Sequence, residues 1–261
     1  MKKVSCVTCT YRRFHYMQRI VSMFECQDYQ NKELIIFNTD SDFPIELGFK
    51  SENILVVNNS IDFETKMPYT NVGSIRRDAL TFATGDYHYT FDDDDIYLPW
   101  YISQAVYGIS QTGKKAWKPE LSFHKTRSEL TLESNYMEAS VLVDIDEIRN
   151  IGFKQETGSE GLSWYHSLQE RGELDPHNKN YIPSYCFDWS DEYNLAWHKQ
   201  SGDIGNPNCF NDHKKESLDV AVKPLNKIDL SDTYVPFYEH FRKHRSEFNQ
   251  EYLTKFFKDE Y

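Results

Sequence analysis

The chain has 261 residues, 39% hydrophobic and 15% aromatic with 18 Tyr and 17 Phe, which argues against disorder throughout. It predicts an aromatic-rich core in one large α/β domain or two tightly joined lobes. A net charge of −12 favours solubility and argues against tight non-specific nucleic-acid binding, which depends on basic phosphate contacts; only Arg12, Arg13, Lys114, Lys115 and Lys118 suggest a local basic face.

The five cysteines, Cys6, Cys9, Cys26, Cys186 and Cys209, are odd in number, and the chain is not small. A disulfide framework is therefore not expected, and a reducing, cytoplasmic setting fits better. The apolar run after Lys3 is too short for a signal peptide, and no stretch approaches the roughly 18 apolar residues of a membrane helix.

In chain order, Val4 to Thr10 reads as a strand and Arg13 to Phe24 as a helix with Phe14, Met17, Ile20, Val21 and Phe24 on one face. Glu33 to Asn38 and Asn53 to Asn58 read as buried strands. Ser74 to Thr84 reads as a helix, Asp86 to Phe91 as a further strand, and a helix starts around Leu98-Pro99-Trp100 and runs to about Gly113. Strands alternating with helices predict a mainly parallel sheet. Residues 116–144 look β-rich, with strand signals at Leu121 to His124, Glu129 to Leu132 and Ala139 to Val143. Asp146 to Asn150 and Gly161 to Arg171 look helical. From about Gly202 the chain is polar and punctuated by Gly, Pro and Asn, and Tyr234 to Tyr261 reads as one or two amphipathic helices.

Asp92-Asp93-Asp94-Asp95 follows the apolar strand Tyr87 to Phe91. Ligands of open α/β sheets bind beyond the carboxyl ends of the strands. Four carboxylates there repel one another and, unless well solvated, require a compensating cation. Carboxylate oxygens suit Mg²⁺ or Mn²⁺. Such an ion, held by one or two of these residues, can bridge two oxygens of a nucleoside diphosphate and offset charge on the leaving group. In an extended run Asp92 and Asp94 would point to one side. The plain alternative is a solvated acidic loop. An EF-hand is excluded, because its Gly and Glu positions counted from Asp92 are Tyr97 and Ser103. Cys6-Val7-Thr8-Cys9 lies inside a strand, with its two cysteines on opposite faces, and so is not a redox motif.

The segment around the acidic run resembles the centre of family-2 glycosyltransferases. Asn71-Val72-Gly73-Ser74-Ile75-Arg76-Arg77-Asp78-Ala79-Leu80 is followed by Ala83-Thr84-Gly85-Asp86-Tyr87 and then the four aspartates. The family has Gly, Ala-Arg-Asn, Ala-Leu, a Gly-Glu-Tyr-like turn, a strand and Asp-x-Asp-Asp in this order. Arg76 takes the place of the family Arg, and Asp92, Asp94 and Asp95 take its three Asp positions. Arg77 replaces the usual Asn, and Asp93 fills the variable position. The resemblance implies a GT-A fold, an α/β architecture with a central, mixed, mostly parallel sheet flanked by helices. It implies inverting transfer of a sugar from a nucleotide-diphosphate sugar to an acceptor hydroxyl.

Outside this segment the match is looser. Val7 to Arg13 sits where the family places its first strand and a nucleotide-framing turn, which points to Thr8, Thr10, Tyr11 and Arg13 as donor-binding residues. Asp40, with Asp42 as second choice, sits where the family has an Asp near the base or ribose; an Asx turn is the structural alternative. Arg76, Asp92 and Asp93 complete the implied donor site, with Asp94, Asp92 and His198 as metal ligands. Asn150 to Glu156 looks like the Gly-Gly-Phe-Asp-Glu segment that precedes the catalytic base. The base position itself falls on Gly161, which makes the adjacent Glu160 the first choice of base and Glu156 the next. Trp100, Trp164, Trp189 and Trp197 are candidates for stacking on sugar rings, with burial in the core as the commoner use of such rings.

These features divide the chain into a nucleotide-sugar-binding half (1–105), an acceptor-side half of the same domain (106–200) and an extension expected to be helical (201–261). The acceptor expected by analogy is a glycan or lipid-linked sugar, with hydroxymethylated phage DNA as a minor alternative. A nucleotide-sugar-binding protein without transferase activity is the main rival. A nucleotidyltransferase fits less well, because Thr10-Tyr11-Arg12-Arg13 lacks the glycines of a phosphate loop.

Overall fold

The computed structural model describes residues 1–125, 130–175, 178, 181, 183–188 and 227–228. Its strands and helices in chain order are β1 (Val4–Thr10), α1 (Met17–Glu25), β2 (Lys32–Asn38), β3 (Glu46–Leu47), β4 (Ile54–Asn58), α2 (Val72–Leu80), β5 (Tyr87–Thr90), β6 (Ile96–Tyr97) and α3 (Tyr101–Thr112). There follow β7 (Ala116–Trp117), β8 (Leu121–Lys125), β9 (Leu130–Ser134), β10 (Leu142–Asp144), α4 (Ile145–Ile151), α5 (Leu162–Glu170), β11 (Leu174–Asp175), β12 (Tyr185–Asp188) and β13 (Lys227–Ile228).

The main sheet has seven strands in the order β11-β7-β10-β5-β1-β2-β4. The pairs β1–β2, β1–β5, β2–β4 and β11–β7 are parallel, and β10 runs antiparallel to both β5 and β7. This is the expected mixed, mostly parallel sheet. A four-stranded sheet, β6-β12-β8-β9, lies beside it, and β13 pairs with β3.

Alternation along the buried strands sends successive residues to two cores. Val4 and Cys6 of β1 and Leu34 and Ile36 of β2 join one cluster with α1 and α3. Val7, Ile35 and Phe37 join the other with α2, α4 and α5. Cys6 and Cys9 therefore point to opposite faces, as the strand periodicity predicts. Helices cover both faces of the sheet, and the chain leaves β1 first towards β2 and β4, then crosses back to β5 on the other side. The carboxyl ends of β1 and β5 thus flank a topological switch point, where open α/β sheets form a crevice.

Local chemistry sets the element ends. Asn71 caps α2 by accepting from the Ser74 amide at 2.8 Å. The helix ends at Leu80, short of the predicted Thr84, because Thr81, Phe82 and Ala83 tighten into bonds three residues back and the Thr81 hydroxyl donates to Asp78 O at 2.6 Å. Gly113 (φ +65°) caps α3 in the left-handed conformation. Ala139 and Ser140, expected in a strand, form a 3-10 turn with Glu138, and β10 starts only at Leu142. Among the described residues no helix is long and apolar enough to cross a membrane. Apart from Lys227 and Ile228, the 201–261 extension lies outside the described residues.

Candidate active site

The acidic run sits at the switch point, on an aromatic base. Phe91 and Tyr97, the residues bracketing the four aspartates, stack at 4.0 Å with 12° between ring planes. Tyr101 and Tyr185 pack against them, and all four rings are buried. The Phe91 amide donates to Val7 O at 2.9 Å, so the chain still runs beside β1 as it leaves β5. The stacked pair closes the run into a turn, with the Asp95 amide facing Asp92 O at 3.4 Å. The run is therefore not extended, and simple alternation does not describe its side chains.

Each aspartate has its own partners. Asp92 Oδ1 meets Arg76 Nη2 at 2.9 Å. Asp93 accepts from the Thr10 hydroxyl at 2.8 Å and pairs with Arg13 Nη1 at 2.8 Å, while Asp94 pairs with Arg13 Nη2 at 2.9 Å. Asp95 accepts from the Tyr185 hydroxyl at 2.5 Å and the Asp188 amide at 3.2 Å, tying the run to β12. Arg19 donates to Asp93 O at 3.3 Å.

Arg76, on α2, contacts a different carboxylate with each guanidinium nitrogen. Nη2 meets Asp92, Nη1 meets Glu138 at 3.2 Å and Nε meets Glu160 at 3.2 Å. Arg13 and Arg76 are thereby shared among the carboxylates of Asp92, Asp93, Asp94, Glu138 and Glu160, an excess of negative charge among these described residues. Burial opposes ionisation further. It pushes Asp93 up to about 7 against the pull of Arg13, and Glu138 up to about 7 against the pull of Arg76. Burial also raises Asp92 and Asp95, and neighbouring aspartates add to the shift.

The nucleotide-side candidates line the end of β1 and the loop after β2. Thr8 is fully buried and its hydroxyl has no hydrogen-bond partner among the described residues. Arg12, in a left-handed backbone conformation (φ 56°), lies over the Tyr11 ring at 5.3 Å and faces Asp40 Oδ2 and Asp42 Oδ2, each at 3.6 Å. Asp40 Oδ1 accepts from the Asp42 amide at 2.9 Å, an Asx turn, while its buried Oδ2 accepts no hydrogen bond from the described residues. Asp42 is exposed.

Of the carboxylates proposed as base from the sequence, Glu160 is buried beside Arg76. Its Oε1 faces Arg76 Nε, and its Oε2 accepts from the Gly158 amide at 2.7 Å. Glu156, with 42% of its side chain exposed, accepts from the Ser159 hydroxyl at 2.5 Å, and that bond lowers its pKa. Glu156 does not join the Arg76 cluster. Glu138 does, and the sequence reading missed it. No spacing links it to the acidic run, and only the fold brings it to Arg76. Trp100 and Trp164 are fully buried core residues. Trp189, Trp197 and His198 lie outside the described residues.

Among the described residues no three His, Cys, Asp or Glu side chains converge as a metal cage. Mg²⁺ and Mn²⁺ sites that serve phosphates commonly use one or two carboxylates, the remaining ligands being phosphate oxygens and water. The hard-oxygen donors of Asp92 and Asp94 and the excess negative charge around them fit that kind of site.

No protein-family model matches the chain, and no curated protein matches it. Among solved structures the fold is similar to that of S. aureus TarS 1-349 in complex with UDP-GlcNAc, with a TM-score of 0.56 and 12% identity over 74% of this chain and 61% of that one. S. aureus TarS 1-349 in complex with UDP gives a TM-score of 0.50 and 13% identity over 76% of this chain and 63% of that one. S. aureus TarS itself gives 0.51 and 13% over 76% of this chain, which spans 38% of that chain's length. At such identities the likeness is one of fold.

Proposed function

We propose that the chain is a divalent-metal-dependent glycosyltransferase that moves a sugar from a nucleoside-diphosphate sugar to an acceptor hydroxyl with inversion. The observation that carries this reading is the acidic turn at the switch point between β1 and β5, where, among the described residues, the carboxylates of Asp92, Asp93, Asp94, Glu138 and Glu160 share Arg13 and Arg76. A divalent cation would offset that imbalance and, held there, would supply the positive charge that attracts a diphosphate. The fold supports the same reading, since TarS, which shares it, has been crystallised with UDP-GlcNAc and with UDP.

In this reading Thr8, Thr10, Tyr11, Asp40 and Asp42 receive the nucleoside. The Thr8 hydroxyl and Asp40 Oδ2 are buried without a hydrogen bond among the described residues, and Asp40 Oδ2 faces Arg12 at 3.6 Å. Arg13 fixes Asp93 and Asp94, and Arg76 fixes Asp92, so the turn is set before the donor arrives. Asp92 and Asp94 would hold Mn²⁺ or Mg²⁺, with His198 as a further ligand from outside the described residues. When bound, the ion supplies charge neutralisation to the departing diphosphate. The acceptor hydroxyl loses its proton to a carboxylate of the Arg76 cluster and attacks the anomeric carbon from the opposite side. Glycan hydroxyls are the acceptors this chemistry suits, with hydroxymethylated DNA as an arm of the test.

The experiment is a thermal-shift screen of nucleotide sugars with Mn²⁺, followed by product detection with glycan and hydroxymethylated-DNA acceptors. Stabilisation by one donor and sugar transfer support the proposal. Stabilisation without transfer or donor cleavage would indicate a nucleotide-sugar-binding protein, and no stabilisation by any nucleotide sugar would refute both readings.

A further inference from the structure

Gly161 caps the N-terminus of α5, and the space its missing side chain leaves is filled. A Cβ built there would lie 2.3 Å from Glu138 Oε1 and 2.4 Å from both Glu138 Cδ and Oε2. The Glu138 carboxylate thus stands where a side chain at position 161 would begin. It is held there from a distant part of the chain. The Tyr101 hydroxyl donates to Ala139 O at 2.7 Å, the Tyr89 hydroxyl to Ser140 O at 3.2 Å, and the Asn135 amide to the Ser140 hydroxyl at 2.7 Å. The 3-10 turn carrying Glu138 is therefore anchored on the aromatic base that also supports the acidic run.

The carboxylates on Arg76 differ in what they have left to offer. Both oxygens of Glu160 are engaged, by Arg76 and by the Gly158 amide, and only 5% of its side chain is exposed. Asp92 belongs to the proposed cation site. Glu138 gives Oε1 to Arg76 and its carboxylate lies against the Gly161 backbone, while Oε2 has no hydrogen-bond partner among the described residues; 17% of the side chain, though not this buried oxygen, is exposed. A buried acceptor oxygen left without a donor is costly and is normally met by a protein, water or ligand donor. A hydroxyl entering beside the α5 N-terminus would meet it, and the positive end of that helix favours the ionised carboxylate.

We infer that Glu138 is the general base of the transfer, its carboxylate replacing the side chain that position 161 lacks. The assignment rests on the transferase reading above. The acceptor O–H proton passes to the Glu138 carboxylate as the acceptor oxygen forms its bond to the anomeric carbon. The bond from that carbon to the diphosphate oxygen breaks, and its electron pair leaves with the nucleoside diphosphate. Protonated Glu138 then returns its proton to water.

The test compares the wild type with Glu138→Gln, Glu160→Gln, Glu138→Ala, Gly161→Asp and the double variant Glu138→Ala/Gly161→Asp. UDP release from UDP-GlcNAc is measured with Mn²⁺ and with water as acceptor, and UDP affinity is measured separately by calorimetry. Glu138→Gln, which keeps the shape and the bond to Arg76, is expected to slow release by roughly 10²- to 10⁴-fold. UDP affinity should stay within about threefold, the pattern of a group acting in the transition state. Gly161→Asp should be impaired, because its Cβ collides with Glu138. The double variant should recover at least about tenfold over Glu138→Ala, since a carboxylate then returns to the vacated space. A merely structural role for Glu138 predicts no such rescue. Wild-type release by Glu138→Gln, or loss in Glu160→Gln alone, would overturn the assignment. A wild-type protein that binds UDP yet releases no nucleoside diphosphate from UDP-GlcNAc or any other nucleotide sugar would overturn the transferase reading and this assignment with it.

Discussion

Tyr185 donates its hydroxyl to Asp95 at 2.5 Å, joining two buried residues 90 positions apart in the chain. The bond ties the last aspartate of the acidic turn to β12 and leaves Asp95 facing the core instead of the crevice. Tyr185→Phe removes one donor from a buried carboxylate. It is expected to lower stability by about 1–3 kcal/mol, read from urea unfolding. An unchanged midpoint would show that the Asp188 amide alone satisfies Asp95.

Arg76 is the residue whose loss should be felt most. Its side chain is 11% exposed and each guanidinium nitrogen faces a different carboxylate. Arg76→Gln strands those carboxylates, and breaking a buried pair from one side costs about 3–5 kcal/mol. Arg76→Lys keeps the charge but not the fork, so a smaller loss of stability and weakened donor binding are expected. Equal stability of the wild type and Arg76→Gln, by differential scanning calorimetry, would mean that the cluster contributes nothing to the fold.

His88 gives the fold a distinct response to acid. Burial, reinforced by the charges of Arg76 and Arg149, pushes its pKa down to about 3. Its Nε2 lies 3.2 Å from the Thr90 hydroxyl, and its Nδ1 is buried without a hydrogen-bond partner among the described residues. Because the folded value lies below the unfolded one of about 6.5, the unfolded chain takes up the proton first. Stability is retained above pH 6.5 and falls below it by about 1.4 kcal/mol per pH unit, until the folded pKa is reached. Between pH 6.5 and 5 the wild type should therefore lose about 2 kcal/mol more than His88→Gln. Parallel stability curves for the two proteins would show that His88 is protonated inside the fold.

Much of the fold was legible because its signals are local. Strand β1 has the predicted limits, since an unbroken run from Val4 to Thr10 is bounded by a charged start and an Arg12-Arg13 turn. The acidic run was equally visible, because its carboxylates are adjacent in sequence. What stayed hidden depends on contacts between distant segments. The bend of the run comes from the stacking of Phe91 on Tyr97, which periodicity does not encode. The strand expected over Ala139 to Val143 begins as a 3-10 turn because Tyr89 and Tyr101 hold the carbonyls of Ser140 and Ala139. Glu138 reaches Arg76 across 62 residues, and Gly161, which reads as a gap in sequence, is a space already filled.

The most direct measurement of the proposed function is chelator-reversible UDP release by the full chain. UDP-GlcNAc and Mn²⁺ are supplied first, excess chelator is added, and Mn²⁺ is then restored. Release should stop with the chelator and resume with the metal. Asp94→Ala should release little UDP under any of these conditions, because the two carboxylates proposed to hold the cation act together. Release that continues unchanged in excess chelator, or in Asp94→Ala, would contradict a metal-dependent transferase built on the acidic turn.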